Sequence, residues 1–429
     1  MKTILTYISC LFIVSQIQAQ DHKLETQLVA LPNLDFVSIT QEKGADQYII
    51  YLRQPLDHSD TTKGYFNQKI YLTHRGFDRP TVLVTAGYNV DWNRKYELSN
   101  LMNANQLLVE HRYFGESMPD SLDYRYLNLE QVTADLHRLR ELFDEVYPNK
   151  WVSTGISKGG VTTIFYRYFY PDDVSVSVPY VAPINRAYEE PRIYAFLKSV
   201  GTDDCRAKIK AAQLQFLEHK DDLLPLLRFY SKGANVSYEY VSFEGAFEYA
   251  VMEYPFSFWQ WGHSCSDLPE GDWDIETLAQ HFLAVSDMTF FGDDAIRHYT
   301  SHYYQSATEM GYYGYETAEF EDYLKVLPTD ENPMALFFPF QMNDPFDGQL
   351  LSDLNVWLDS NAEHMIYIYG ELDTWSASAV PFNDQVDSAW FMMEGKHHGN
   401  ARVMYMKPSE QQRFISTLEK YLGESIQDK

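Results

Sequence analysis

Long apolar runs are scarce in this sequence of 429 residues, which limits its possible relation to membranes. The run near the start, Ile4 to Val14, is shorter than the roughly 20 residues that a membrane-spanning helix needs. It follows Lys2 and precedes a short polar stretch that ends at Ala19, which is the order of elements in an export signal. We therefore expect a signal peptide over residues 1–19, and a mature chain without a membrane span that is exported to the periplasm or the extracellular space.

Basic residues are also few, with 34 Lys and Arg against 61 Asp and Glu, so the formal net charge is −27. Such a surface repels phosphate groups, which argues against a nucleic-acid partner. It attracts cationic groups, such as the free amino terminus of a peptide. No H-E-x-x-H segment or other cluster with zinc-ligand spacing is present, so we predict neither a metal nor a cofactor.

Cysteine occurs only three times. Removal of the export signal takes Cys10 away and leaves Cys205 and Cys265. In an oxidising compartment such a pair tends to form a disulfide, which is the expected state here. The alternative is two separate buried thiols.

Apolar residues make up 45% of the chain and aromatic residues 16%, which indicates a well-packed globular protein. Short β-like runs at the start suggest an antiparallel beginning to a sheet, and strand-like and helix-like segments then alternate, which predicts a mostly parallel sheet with helices on both faces. The strand-like runs are Tyr48–Leu52, Lys69–Leu72, Thr81–Thr85, Leu107–Val109, Trp151–Thr154, Val176–Val181, Met365–Tyr369 and Trp390–Met393.

The alternation stops between about Cys205 and Leu327, where the apolar spacing is helical. We therefore expect an α/β domain whose first part covers residues 20–200 and whose second part covers 330–429. A helical cap insertion at 201–329 would separate the two parts.

The segment Gly155–Gly160 carries the pattern G-x-S-x-G between a strand-like run and a helix-like one. This is the context of the nucleophile elbow in α/β-hydrolases, in which a tight turn exposes a reactive serine. Ser157 is then the nucleophile, and the backbone N–H of Lys158 at the helix start donates to an oxyanion. The alternative is an ordinary glycine-rich connection.

A nucleophilic serine needs a base and an orienting carboxylate, which in this fold follow in the order Ser, acid, His. Asp373 comes just after the strand-like run Met365–Tyr369 and is the predicted acid. Glu371 is its main rival, and Asp373 could instead cap a helix.

The base should follow the last strand, where two histidines are adjacent. A Gly-x-His turn favours His397, whereas a His-Gly pattern favours His398. We favour His397. The backbone N–H of Tyr88, in the loop after Thr81–Thr85, is the predicted second oxyanion donor.

Several motifs resemble the prolyl carboxypeptidase and dipeptidyl peptidase group of serine peptidases. Residues 110–117 read E-H-R-Y-F-G-E-S, similar to the E-H-R-[YF]-[YF]-G-E-S motif of that group. Residues 370–376 resemble its G-x-L-D-P-W-S acid loop, with Thr374 in place of proline. Residues 395–398 resemble its G-A-H-H segment, where the first histidine is the base, which supports His397. The E-H-R run itself is expected to be structural and salt-bridged.

A sister family, the secreted prolyl tripeptidyl aminopeptidases, fits more of the chain. Residues 150–160 resemble its K-W-x-x-T-G-x-S-K-G-G block, and Tyr170–Val174 and Tyr180–Pro183 resemble its Y-P-x-D-V and Y-V-A-P segments. The resemblance implies an α/β-hydrolase fold with a helical cap, removal of short peptides from an N-terminus, and catalysis by Ser157, Asp373 and His397. The His-Gly form of this family would instead select His398.

An aminopeptidase must also accept the ammonium group of its substrate, and Glu253 and Asp344 are the candidates. The aromatic stretch Tyr254–Trp261 in the expected cap either forms a wall for a proline ring or packs in the core.

We therefore predict an exported serine peptidase that releases short peptides from the N-terminus of oligopeptides, with tripeptides and a cut after proline as the expected products. The alternatives are an exopeptidase like the prolyl carboxypeptidases or dipeptidyl peptidases, a secreted carboxylesterase, and a non-catalytic binding protein that kept the fold. The oligomeric state is not predicted.

Overall fold

The computed structural model describes most of the chain, and the predicted signal peptide at residues 1–19 lies outside the described residues. No helix in the described part is both long enough and apolar enough to cross a membrane. The described residues are 23–42, 45–268, 271, 273–327, 337–338 and 344–426.

Nine strands form one sheet with the order β1-β2-β3-β5-β4-β6-β7-β8-β9. The first three strands pair antiparallel, and β3 is antiparallel to β5, whereas β4 is parallel to β5 and β6, and β8 is parallel to β7 and β9. The strands are β1 Leu34–Glu42, β2 Ala45–Pro55, β3 Tyr65–His74, β4 Thr81–Thr85, β5 Asn105–Val109, β6 Trp151–Ile156, β7 Val176–Tyr180, β8 Ile366–Gly370 and β9 Ala389–Met393.

The parallel strands are short and largely apolar because they are buried on both faces. Every residue of β4, β5, β7 and β8 is buried, as expected for a sheet covered by helices on each side. This architecture is the predicted α/β-hydrolase fold.

Helices connect the parallel strands and fill the long segment between β7 and β8, where the described residues contain no strand of the sheet. The helices are α1 23–30, α2 Glu97–Leu101, α3 Leu129–Asp144, α4 Lys158–Phe169, α5 Pro191–Leu197, α6 Asp203–Glu218, α7 Lys220–Gly233, α8 Phe243–Trp261, α9 Ile275–Val285, α10 Asp293–Gln305, α11 Gln349–Ser360 and α12 Pro408–Leu422.

The chain divides into two compact units. The first comprises Met1–Gly155, Thr162–Ser177 and Leu418–Lys429, and the second comprises Ile156–Val161 and Val178–Thr417. The predicted division into a first α/β part, a cap at 201–329 and a second α/β part stays a prediction.

A buried ion pair organises the first unit. The guanidinium of Arg112 is fully buried and donates through Nε and Nη2 to the two carboxylate oxygens of Asp135, at 2.7 and 2.8 Å. The remaining N–H groups of Arg112 donate to the backbone carbonyls of Pro55, Leu56 and Tyr126. The pair is thus fully hydrogen-bonded, which a buried charge requires. The E-H-R segment is salt-bridged, as the sequence predicted.

A disulfide and one long buried helix organise the second unit. Cys205, at the start of α6, is bonded to Cys265, just after α8, with the two Cα atoms 5.4 Å apart, which confirms the predicted pairing. Most aromatic residues of α8 are core residues, since Tyr254, Phe256, Phe258 and Trp259 are buried. The packing interpretation of this aromatic stretch is therefore correct for these four.

A hydrogen bond from another helix compensates for the N–H that Pro255, in the middle of α8, does not have. Pro255 has no N–H, so the carbonyl of Val251, one turn earlier, loses its helical donor. Gln213 of α6 supplies the missing donor, with Nε2 2.8 Å from the Val251 oxygen. This hydrogen bond holds α6 against α8 within the second unit.

Candidate active site

Ser157 occupies the single residue between the end of β6 and the start of α4. Its backbone has φ +58°, the left-handed region that a non-glycine residue rarely adopts. Two hydrogen bonds hold this turn: Ser157 N–H donates to the carbonyl of Tyr180 at the end of β7, and Val161 N–H donates to the carbonyl of Ser157, both at 2.9 Å. A strained serine between strand and helix is the geometry of a nucleophile elbow.

Lys158 follows the serine and opens α4. Its N–H is among the first N–H groups of a helix, a position at which helices can bind anions. The side chain is buried, and burial lowers the pKa of its ammonium group to about 7, opposed by the nearby carboxylate of Glu309.

Asp373 lies three residues beyond β8 and is fully buried. One carboxylate oxygen, Oδ1, accepts a hydrogen bond from the backbone N–H of Trp375 at 3.2 Å, and this fixes the carboxylate at the start of a short 3-10 turn. The other oxygen, Oδ2, is 2.9 Å from Nδ1 of His398. The rival carboxylate, Glu371, is exposed and accepts from the backbone N–H of Gly395.

The imidazole bonded to Asp373 therefore belongs to His398, whereas the sequence favoured His397. His398 is buried, its N–H donates to the carbonyl of Gln260 at 3.1 Å, and its ring forms a T-shaped contact with the ring of Trp261. His397 has different partners: its Nδ1 accepts from the N–H of Gly399, and its own N–H donates to Oδ1 of Asn400.

The histidine loop passes close to the end of β8, and a glycine makes this approach possible. A Cβ atom on Gly370 would lie 2.5 Å from the carbonyl oxygen of Lys396. The same carbonyl accepts a hydrogen bond from the N–H of Leu372 at 2.8 Å. The loop after β8 and the loop that carries the two histidines are thus hydrogen-bonded to each other at Lys396, just before the histidine pair. This contact sets the direction in which each imidazole points.

Helix α8 is hydrogen-bonded to both loops. The carbonyl of Phe256 accepts a hydrogen bond from Oγ1 of Thr374 at 2.8 Å, and the carbonyl of Gln260 accepts from His398 N–H. These carbonyls are four residues apart and so lie one turn apart on one face of the helix. This role for Thr374 could not be predicted from the sequence, in which the residue stood out only because it replaces the proline of the resembling motif.

The loop with the predicted second oxyanion donor lies in the first unit. The carbonyl of Tyr88 accepts from the N–H of His111 at 3.3 Å, and the N–H of Val90 donates to Oε2 of buried Glu110 at 2.8 Å. Residues of the E-H-R segment thus order this loop. The oxyanion role of Tyr88 stays a prediction.

The two candidate acceptors for a substrate ammonium group differ in burial. Glu253 is buried on α8, and its Oε2 accepts hydrogen bonds from the hydroxyls of Tyr313 at 2.9 Å and Tyr315 at 2.7 Å. Asp344 is exposed and accepts from the hydroxyl of Tyr304 at 2.9 Å.

Comparison with known proteins identifies the family. The prolyl tri/tetrapeptidyl aminopeptidase of Streptomyces mobaraensis is 28% identical over 419 residues, which cover 95% of this chain and 87% of that protein. The human lysosomal Pro-X carboxypeptidase is 26% identical over 176 residues, 36% of each chain. Among solved structures, the proline iminopeptidase of Mycobacterium smegmatis matches at 11% identity over 87% of this chain and 98% of that chain, with a TM-score of 0.38.

The family model of PS-10 peptidase S37 matches residues 17–425, almost the whole chain. The resemblance inferred from the motifs is confirmed, and the chain therefore belongs to the PS-10 peptidase S37 family of serine hydrolases.

Proposed function

We propose that this protein is an exported serine aminopeptidase that releases tripeptides, with a cut after proline, from the N-terminus of oligopeptides. The catalytic residues are Ser157, His398 and Asp373. The observation that carries this proposal is the hydrogen bond between Nδ1 of His398 and buried Asp373, in the same unit as a serine at a strained strand-to-helix turn. The sequence favoured His397 as the base, whereas the hydrogen bond to Asp373 supports His398.

The roles follow from the hydrogen bonds. Because Nδ1 of His398 is engaged by Asp373, Nε2 is the nitrogen left to exchange a proton with Oγ of Ser157. The serine attacks the scissile carbonyl, and its proton passes to His398, which Asp373 orients and stabilises as imidazolium. His398 then protonates the leaving amine, and water hydrolyses the acyl-enzyme in the reverse sequence.

The oxyanion of each tetrahedral intermediate needs backbone donors. Lys158 N–H at the start of α4 is the first donor, and the N–H of Tyr88 is the proposed second one. Loss of one such donor costs about 100- to 1000-fold in turnover in other serine hydrolases.

Substrate class rests on the relatives and on the inserted helices. The prolyl tri/tetrapeptidyl aminopeptidase is similar to this chain over nearly its full length, which supports release of short N-terminal peptides after proline. The helical segment at 201–329 acts as a cap that admits short or unfolded peptides. The apolar segment at residues 1–19 serves as the export signal.

Digestion of a mixed peptide library, followed by mass spectrometry, tests this function. We expect tripeptides released from free N-termini, enriched in proline at their third position, and no products from the Ser157→Ala variant. Products that are shortened only at their C-terminus would instead indicate a carboxypeptidase. Hydrolysis of p-nitrophenyl esters without peptide cleavage would indicate an esterase.

A further inference from the structure

Glu253 carries a buried carboxyl group that has no cationic partner among the residues that the structure describes. Its Oε2 accepts two tyrosine hydroxyls, from Tyr313 and Tyr315, and within the described residues no Lys, Arg or His forms an ion pair with it. Within the same part of the chain, both hydrogen bonds of Glu253 go to Oε2 and none goes to Oε1. One carboxylate oxygen is thus fixed and the other is left for a ligand.

Two other buried glutamates of the same unit, Glu248 and Glu190, are each paired with a cationic side chain. Glu248, also on α8, accepts from Nζ of Lys220 at 2.8 Å and from three backbone N–H groups, and these partners lower the pKa of its carboxyl. Glu190 is held by Arg192 in the same way. For Glu253, burial is the main influence and raises the pKa to about 7. A buried carboxylate without a counter-charge is unfavourable, which marks a functional-site candidate.

The surroundings of Glu253 suit an organic cation and adjoin the acid loop. Tyr313 packs against Phe256, with ring centroids 4.8 Å apart, and against Trp375, with centroids 5.0 Å apart. Trp375 is two residues from Asp373 and its N–H donates to that carboxylate. Aromatic rings around a carboxylate attract an ammonium group through their negative faces.

Helix α8 also sets the distance between Glu253 and the base loop, which is the loop that carries His398. Glu253 precedes Gln260, whose carbonyl holds His398 N–H, by seven residues. Seven residues of α-helix form about two turns on one face and rise about 10 Å. Three residues of an extended peptide also span about 10 Å, whereas two span about 7 Å.

We propose that Glu253, held by Tyr313 and Tyr315, binds the N-terminal ammonium group of the peptide substrate, and that its spacing from the base loop along α8 selects a three-residue product. This inference rests on the proposed aminopeptidase function. The substrate ammonium supplies the cation that the buried carboxylate lacks, and Oε1 accepts its hydrogen bond. An N-acylated peptide lacks the positively charged ammonium group that would bind at this position.

The test compares wild type with Glu253→Gln on two substrates, Ala-Ala-Pro-p-nitroanilide and its N-acetylated form. Removal of one partner from a buried charged hydrogen bond typically costs about 30- to 1000-fold. We expect kcat/KM for the free amine to fall by about 100-fold in the variant, and kcat/KM for the acetylated substrate to stay within about 3-fold. Among Ala-Pro, Ala-Ala-Pro and Ala-Ala-Ala-Pro anilides, the wild-type preference for the tripeptide should also disappear.

Glu218→Gln is the matched control, because Glu218 is an exposed carboxylate that accepts a hydroxyl hydrogen bond from Tyr323 at 3.1 Å. We expect this variant to behave as wild type. Fluorophosphonate labelling of Ser157 reports whether each variant is folded and active. If Glu253→Gln does not fold, Tyr315→Phe carries the test, with an expected loss of about 5-fold confined to the free-amine substrate.

Two outcomes separate this inference from the proposed function. If wild type cleaves the free-amine anilide and Glu253→Gln keeps the full preference for it, the ammonium site is wrong and the aminopeptidase function stands. If wild type is labelled at Ser157 but cleaves neither anilide, the aminopeptidase function itself fails.

Discussion

Oγ1 of Thr374 lies 2.8 Å from the backbone carbonyl oxygen of Phe256, and both residues are buried. This hydrogen bond joins the residue after Asp373 to helix α8. The carbonyl of Gln260, one turn later, holds the N–H of His398. One face of α8 is therefore hydrogen-bonded to the loops that carry Asp373 and His398, so the geometry of this pair depends on the position of α8.

Replacement of Thr374 by valine keeps the shape of the side chain and removes the hydroxyl donor. Because the Phe256 carbonyl also belongs to a helix, we expect the fold to survive and the acid loop to shift. A lost buried hydrogen bond is worth about 1 kcal/mol, so kcat should fall by about 5-fold. The pH profile of kcat should move as well, since Asp373 orients the base.

Thr374→Ser is the matched control, because it keeps the hydroxyl and should retain kcat within about 3-fold of wild type. Equal kcat values and pH profiles for the valine and serine variants would show that the bond to Phe256 has no positioning role.

We expect the titration of Glu253 to make the stability of the folded protein depend on pH. The pKa of its carboxyl is about 7 in the folded protein, above its ordinary value of 4.5. Between these pH values the folded state keeps a proton that the unfolded state has released, so the contribution to stability is full below pH 4.5 and is lost as the pH rises through 7. Glu253→Gln cannot titrate and avoids this loss.

Urea unfolding of both proteins between pH 4 and pH 8 measures the effect. The free energy of unfolding of Glu253→Gln, relative to wild type, should rise by about 3 kcal/mol across this range. A relative stability that does not change with pH would mean that the Glu253 carboxyl titrates near its ordinary value.

The disulfide should contribute to stability more than to catalysis. It closes a loop with a sequence separation of 60, for which the chain-entropy model gives about 4 kcal/mol. Replacement of both Cys205 and Cys265 by serine should lower the melting temperature by several degrees, while kcat at 20 °C stays close to wild type. Calorimetry and anilide hydrolysis provide the two measurements, and an unchanged melting temperature would contradict the expectation.

Most of the sheet could be predicted from the sequence because its parallel strands are short, apolar and bounded by polar residues. The observed β4, Thr81–Thr85, coincides with its predicted run, and β8 differs from its prediction by one residue at each end. Helix α11, Gln349–Ser360, is absent from the sequence-based predictions. Its buried residues are Leu351, Leu354 and Leu358, whereas Leu350, Val356 and Trp357 are not buried, so the apolar positions do not mark a single face.

The serine turn was predictable for a different reason. Strand, G-x-S-x-G and helix are consecutive in the chain, so local sequence determines the elbow at Ser157. The histidine partner of Asp373 was not predictable in this way. Adjacent loop residues point in different directions, and here the directions depend on Gln260 and Gly370, which are distant in sequence.

Some contacts of the candidate site could also not be predicted from the sequence. Glu253 could be named as a candidate, but its pairing with Tyr313 and Tyr315, about 60 residues later, depends on how the inserted helices fold back. The hydrogen bond from Thr374 to Phe256 spans 118 residues. Neither contact leaves a spacing pattern in the sequence.

The most direct measurement of the central claim compares kcat for peptide hydrolysis in His398→Ala and His397→Ala. Loss of a catalytic base lowers kcat by about 10,000-fold or more in enzymes of this type. We predict that loss for His398→Ala, and a decrease of less than about 10-fold for His397→Ala, because His397 has no hydrogen bond to Asp373. A fully active His398→Ala enzyme, with activity abolished in His397→Ala, would contradict the proposed triad.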